Sequence, residues 1–555
     1  MIKRISFMMM ITVMFVFSIA PSTFAEVETT SSEGIKIPVP EFERSSIDYE
    51  GMIKFLEDLE AKSEGELEVF TLSEKNYEYG KSQQGRDLYV AKIGNGEKKV
   101  WIQGRIHGDE PYGTESTLKI IENLVHEADY SYKKLKDELT MYFIPMYNPD
   151  GAEMNTRTTL VIDPETGEVV LNEDGDPIAV DMNRDWIEER FIASDSIAFY
   201  EFWADIKPDF AIDIHHQGPK TMYNSDIPVT MSLGISLAPG GPTLPGIKNG
   251  EYDLVTRQAL VHIYDALAPY DAIHVDRYSV GDGKYVIDIK GGVVSAMMLG
   301  LNYKGMNPDG HSNPAVFLET SGNTRNGDIP EDQRENLILQ NVIALHSFLY
   351  GFATNQFEKV DADRWDDIPH YPFEGYQTDT GIIPVFKDVP NKYWARQYIY
   401  SLAGKGAIKG YPDGTFGPAD EVTRAQFAKI LVDALGLEAE NGKTFTDTTN
   451  HWAKAEIAAA VEHGIVTGYN EQTFGPDDQI TREQMALMIV RATDLDKVTN
   501  ELPFTDKNKV SKWALEAVQT AFGHNVMNGY LDNTFNPKGK ATRAEAAKVI
   551  VEATQ

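Results

Sequence analysis

Four residues spread over about two hundred positions carry the chemistry this sequence offers: His107, Glu110, His215 and Glu319. His107 and Glu110 lie in His107-Gly108-Asp109-Glu110, just after the apolar run Lys99-Val100-Trp101-Ile102. His215 ends a second run, Phe210-Ala211-Ile212-Asp213-Ile214, and Glu319 ends a third, Ala315-Val316-Phe317-Leu318. Two imidazoles and a carboxylate can hold zinc with one coordination position open, and a second carboxylate can then handle protons. That is the minimum equipment for metal-assisted hydrolysis. A His-x-x-Glu match alone is weak, since chance produces it often. Here the pair follows a strand directly, which places it on a strand-to-helix turn at the sheet edge, where ligands gather in open α/β sheets. His216 points to the opposite face from His215 if the run is a strand, and is not expected to be a ligand.

The elements that must position these residues alternate from about 46 to 352. Apolar strands at 100–106, 139–145, 209–214 and 315–318 are separated by amphipathic stretches. Leu118, Ile121, Leu124 and Val125 set a helical period over 114–126, and Leu337, Leu339, Val342, Leu345, Phe348 and Leu349 set another over 333–350. Near-continuous apolar strands between helices indicate an α/β domain whose sheet is covered on both faces. Turn-forming residues at 163–167 and 173–177 flank Val169-Val170-Leu171, which reads as a hairpin excursion with a solvated acidic loop. Residues 355–383 have little periodicity and read as a linker or wrapping tail.

At 555 residues the chain must hold several domains. Its net charge of −34 argues against nucleic-acid partners, which need a basic footprint. It contains no cysteine, so stability rests on packed cores and any zinc is held by His and carboxylate. Lys3 and Arg4, an apolar run over 5–20, Pro21 and Thr23-Phe24-Ala25 read as a secretory signal over 1–25 cut after Ala25, followed by a lead-in over 26–45. The alternative, an uncleaved anchor, is disfavoured because the run is short for a bilayer.

The last third repeats. Phe386-Lys387-Asp388, Phe445-Thr446-Asp447 and Phe504-Thr505-Asp506 recur at an interval of 59 residues. Each is followed by a Trp (Trp394, Trp452, Trp513), a Gly-Tyr pair, a Thr-Phe pair, and Thr-Arg opening an amphipathic helix at Thr423-Arg424, Thr481-Arg482 and Thr542-Arg543. The Thr is suited to N-cap the helix. The pattern closely resembles S-layer homology (SLH) domains, here at 384–440, 441–499 and 500–555. The resemblance implies three mainly helical repeats, non-covalent anchoring to secondary cell-wall polysaccharide of a Gram-positive-type bacterium, and contact of Arg424, Arg482 and Arg543 with anionic sugar. The competing reading is that each Arg caps or pairs within its own repeat.

Residues 80–350 resemble the carboxypeptidase A-like zinc carboxypeptidases. His107, Glu110 and His215 fall in the order and spacing of that family's metal ligands. Asn148-Pro149-Asp150-Gly151, then Arg157, then Asp181-Met182-Asn183-Arg184, match further family motifs, and Glu319 in Phe317-Leu318-Glu319-Thr320 matches its catalytic glutamate. The resemblance implies a mixed sheet covered by helices over 46–354 and one zinc held by His107, Glu110 and His215. It further implies Glu319 as general base, Arg157 beside the oxyanion, Asn183 and Arg184 on the terminal carboxylate, and Asp181 orienting His107. Asp109 departs from the Arg of pancreatic members, which leaves a substrate contact open. Tyr303 is the candidate for the family's mobile tyrosine, with Tyr285 as rival.

These readings converge on a secreted, wall-anchored zinc metallocarboxypeptidase acting on peptides. Two alternatives stay open: the same zinc site acting on peptidoglycan stem peptides or another amide, and an inert surface-layer binding protein.

Overall fold

The computed structural model describes residues 47–554 apart from 127–128, 189–190, 289–290, 323–330, 379–380, 391–392, 440–441 and 494. The expected signal segment and lead-in, 1–25 and 26–45, lie outside the described residues. An eight-stranded mixed sheet organises the first part of the chain. Its strands run in spatial order Leu67–Thr71, Tyr89–Ile93, Leu139–Ile144, Lys98–Gly104, Phe210–Gln217, Ala315–Ser321, Met231–Gly234 and Val275–Arg277. The four central strands are mutually parallel, whereas Tyr89–Ile93 and Met231–Gly234 join them antiparallel.

Register shows that both faces are covered. Val100 stands opposite Phe210 and Trp101 opposite Ala211, so Trp101 and Phe210 point to opposite faces. Trp101 packs on Phe199 and Phe202 of the helix Ser194–Ile206. Phe210 packs on Phe348 and Phe352 of the helix Glu331–Ala353. Strand Leu139–Ile144 is buried along its whole length, which explains its unbroken apolar sequence. The sequence places the four parallel strands and the helices Tyr112–His126 and Glu331–Ala353 to within a few residues. The excursion over 161–179 is a pair of stacked turns, bridged Ile162 to Val169 and Leu171 to Pro177. Its base is the pairing of Thr159 with Val180, which brings the chain back beside its point of departure.

The segment 355–383 is more than a spacer. Gly375–Thr378 and Gly381–Pro384 form a three-stranded sheet with Tyr285–Asp288, a strand from the first part of the chain.

The three repeats close into a ring. Each Thr-Arg Thr caps its helix reciprocally with the residue three positions on: Thr423 with Gln426, Thr481 with Gln484, Thr542 with Glu545. Each following Arg is buried and donates to two carbonyls of another repeat. Arg424 reaches Phe474 O and Thr467 O, Arg482 reaches Phe535 O and Asn528 O, and Arg543 returns to Phe416 O and Lys409 O of the first repeat. Each guanidinium also lies over a Tyr and a Phe ring of that repeat. Their guanidinium groups are turned into the array, where they replace hydrogen bonds that the carbonyls would otherwise lose on burial, and Arg543 also lines a cavity with Lys409, Gln426 and Trp452. Asp388, Asp447 and Asp506 play a matching part inside each repeat by accepting from successive backbone amides at 416–417, 474–475 and 535–536.

Replacing Arg543 with Ala opens the ring and strips two buried carbonyls of a charged donor. The expected cost is about 2–3 kcal/mol, read as a lower denaturation midpoint of the repeat transition at unchanged slope.

Candidate metal and catalytic site

The site is built where parallel strands end. His215 and Glu319 are register partners on adjacent strands, so both side chains leave the same face side by side. The third contributor follows strand Lys98–Gly104. Arg105 takes a left-handed backbone (φ 57°) that turns the chain sharply, and it is held there by Nε donating to Gly108 O (2.9 Å) and a terminal nitrogen donating to Ile47 O (2.6 Å). Gly108 then passes directly over the start of the helix Pro149–Met154. A Cβ at Gly108 would sit 1.9 Å from the carbonyl carbon of Gly151, so only glycine fits. The turn delivers His107 and Glu110 before Tyr112 begins a helix.

His107, Glu110 and His215 are all buried, and their candidate ligand atoms lie within 4.8 Å of one another. Nδ1 of His107 is 2.8 Å from Glu110 Oε1, Nδ1 of His215 is 3.2 Å from Oε2, and the two Nδ1 atoms are 3.3 Å apart. The outward nitrogens meet carboxylates: His215 Nε2 donates to Asp213 at 2.8 Å, and His107 Nε2 lies 3.3 Å from Asp181. A proton fixed on each Nε2 leaves both Nδ1 lone pairs and the Glu110 carboxylate converging on one point, a donor set that fits zinc. Burial disfavours charge at both Glu110 and His215. Glu110 is nevertheless held well below the usual carboxylate range by His107 and His215, and His215 well above the usual imidazole range by Asp213 and Glu110.

Arg157 and Asp181 flank the excursion and meet at its base, with Arg157 Nε donating to Asp181 at 3.0 Å. Burial opposes ionisation of Asp181, but His107, Arg157 and Arg184 hold its carboxyl below the usual range. Another terminal nitrogen of Arg157 is 3.8 Å from Glu110. Asp181 N-caps the short turn Met182–Arg184. Asn183 Oδ1 accepts from Val293 N, and Arg184 remains exposed with one nitrogen on Asn183 O. His107, Arg157, Asn183, Arg184, His215 and Glu319 line one cleft. Burial, reinforced by Glu110 and opposed by His215 and Arg157, pushes Glu319 up to about 8.

Some expectations move. Tyr303 is buried against Phe191 and Tyr200 and lies outside the cleft, as does Tyr285. The tyrosine on the cleft wall is Tyr278, immediately after strand Val275–Arg277, with its ring 5.1 Å from that of Phe317. The helix Val293–Leu299 lies between Tyr278 and Tyr303 in the chain. Asp109 is buried and is not among the cleft-lining residues. His216 accepts from Tyr112 N and donates to Gly322 O, apart from the metal cluster. Asp213 went unread, although its position two residues before His215 on a strand puts both on one face.

A mixed α/β sheet thus carries at its strand ends a buried His–Glu–His group that could hold a metal ion. Residues 72–210 match the family described as zinc carboxypeptidase, and residues 385–428, 444–486 and 503–547 match the S-layer homology domain. The chain joins a zinc carboxypeptidase-family domain to three S-layer homology domains. It is 43% identical over 171 residues to an endoglucanase of Bacillus sp., covering 30% of this chain and 18% of that protein. It is 37% identical over 168 residues to S-layer protein EA1 of Bacillus anthracis, covering 30% and 19%. The chain therefore spans under a fifth of the length of these relatives. Among solved structures it is similar to a metallo-carboxypeptidase of Burkholderia cenocepacia (18% identity, TM-score 0.35, 55% of this chain and 70% of that one). It is also similar to carboxypeptidase A of Helicoverpa armigera (16%, TM-score 0.40, 56% and 75%).

Replacing Asp213 with Asn keeps the shape but weakens the hold on the His215 tautomer. Zinc affinity is expected to fall about 10- to 100-fold by competition with a chromogenic chelator, whereas His215→Ala abolishes stoichiometric binding.

Proposed function

We propose that this protein is a surface-anchored zinc metallocarboxypeptidase that hydrolyses C-terminal peptide bonds. The observation that carries the reading is the pairing in one cleft of a buried His–Glu–His cluster with Glu319 and two arginines. His107 Nδ1, Glu110 and His215 Nδ1 would hold the ion. Bound there, zinc supplies Lewis acidity toward the scissile carbonyl and a water molecule.

The chain's own groups do the rest. Glu319 takes the proton of the attacking water and returns it to the leaving amine; its environment favours a proton, which suits a group that must carry one between two steps. Arg157 stabilises the oxygen on which negative charge develops, with its geometry fixed by Asp181. Arg184, exposed at the cleft, pairs its planar guanidinium with the substrate's terminal carboxylate, and Asn183 adds a hydrogen bond. Tyr278 closes the substrate side of the cleft in the role expected for Tyr303. Export and attachment to the cell wall rest on the S-layer homology repeats and on the signal-like start of the sequence. Among the described residues no helix is long and apolar enough to cross a membrane. The anchoring ligand is a wall polysaccharide bound on the outer surfaces of the ring, where Trp394, Trp452 and Trp513 are each more than half exposed.

Asp109 is buried outside the cleft lining and stands where pancreatic-type enzymes carry Arg, so the cleft lacks that cation. This keeps a second reading in play, hydrolysis of wall stem peptides on the same site. Incubation of the protein with a peptide library and with purified wall fragments, each with a chelator control, separates the two by product mass.

Glu319→Gln is expected to lower turnover by about 10²- to 10⁴-fold while zinc remains bound at one per chain; full turnover by that variant would refute the mechanism. In the metal-free site burial raises the pKa of Glu319 to about 8, so near pH 7 it favours its proton. Zinc loading favours its loss, so titration at pH 7 should release more protons from the wild type than from Glu319→Gln.

A further inference from the structure

The cleft wall opposite the metal cluster is completed by parts of the chain outside the zinc carboxypeptidase match. Ile287 lines the cleft from the strand Tyr285–Asp288, and that strand is paired to Gly375–Thr378 of the connector, Ile287 standing opposite Gln377. Its neighbour Val286 points the other way, into a second cavity that it shares with Tyr278, Phe373, Tyr376 and Arg396. Tyr278 is therefore a common wall, with the active cleft on one side and the connector and first repeat on the other. The adjacent Arg277 donates its backbone N–H to Pro369 O at 2.9 Å, and its guanidinium pairs with Asp366 at 3.0 Å.

Arg396 fastens this layer. It is the first residue of the helix Arg396–Gly404 in the first repeat, and it is 6% exposed. It donates to Gly240 O (3.1 Å) in the carboxypeptidase part, to the Tyr376 hydroxyl (2.5 Å) in the connector and to Val389 O (2.7 Å) in the repeat. The same helix position in the other repeats, after Trp452-Ala453 and Trp513-Ala514, holds Lys454 and Leu515, and both are exposed. The arginine thus occurs in the repeat that abuts the carboxypeptidase part, and it is buried there alone. Ala238 and Tyr376 belong to the hydrophobic core of the repeats, so the two parts share packed interior.

We propose that Tyr376 and Arg396 are positioning residues for substrate binding: through the strand Tyr285–Asp288 and Tyr278 they set the pocket that receives the substrate's C-terminal side chain. The first repeat is then a structural element of the peptidase site as well as part of the anchor. This rests on the peptidase reading above.

The test uses the full-length, zinc-loaded protein and a series of N-blocked dipeptides differing in the C-terminal residue. Arg396→Ala should raise KM about 3- to 10-fold, by an amount that depends on the C-terminal side chain, with kcat within about twofold and zinc stoichiometry unchanged. Tyr376→Phe, which removes one hydroxyl, should shift KM the same way by less. Lys454→Ala, at the matching position of the second repeat, should change nothing. Hydrogen exchange of the amides at 278 and 285–288 should speed up in Arg396→Ala. Unchanged KM and unchanged exchange at 285–288 in both Arg396→Ala and Tyr376→Phe would overturn the proposal. If the wild type itself cleaves no dipeptide, the peptidase reading fails, and exchange at 285–288 alone then decides whether Arg396 holds the pocket wall.

Discussion

Two imidazole nitrogens 3.3 Å apart, facing a shared carboxylate in a buried site, form an arrangement whose facing lone pairs repel unless something sits between them. A proton or a metal ion must sit there, and much of the surrounding structure serves to aim the lone pairs inward. Asp213 and Asp181 hold the outer ring nitrogens, Arg157 holds Asp181, and the excursion over 161–179 exists in this fold as the loop whose base unites the last two. Burial, reinforced by Glu110 and opposed by His215 and Arg157, makes Glu319 retain its proton more readily than a solvated carboxyl.

The repeats solve a different problem with one recurring device. A small helical repeat cannot bury its own hydrophobic face, and three in a row leave two ends exposed. Here the third repeat returns to the first through Arg543, so no end remains and each guanidinium saturates carbonyls that would otherwise be orphaned. In a chain of net charge −34 these buried arginines serve as structural charges within the ring.

Much of the site was legible because strands have period two and end at the sheet edge: His215 and Glu319 each close an apolar run, and His107 and Glu110 follow one. Motif order then brought in Arg157, Asn183 and Arg184, which share the cleft, and Asp181, which pairs with Arg157 and faces His107. Asp213 was legible in principle by the same periodicity. Tyr278 was not, because it follows a short edge strand whose pairing with Met231–Gly234 is visible only once the sheet is assembled. The inward orientation of Arg424, Arg482 and Arg543 was equally hidden, since their partners lie at least 43 residues away in another repeat.

By itself the sequence determined the chemistry available, the alternation of strands and helices, and the threefold repeat, because these depend on residue type and local period. Tertiary structure alone decided which tyrosine meets the cleft, that Asp109 lies outside its lining, and that the segment after 355 pairs with the pocket wall. Those outcomes depend on contacts between residues far apart in the chain. Local propensity carries no record of such contacts, and only the packing of the sheet, the connector and the first repeat against one another fixes them.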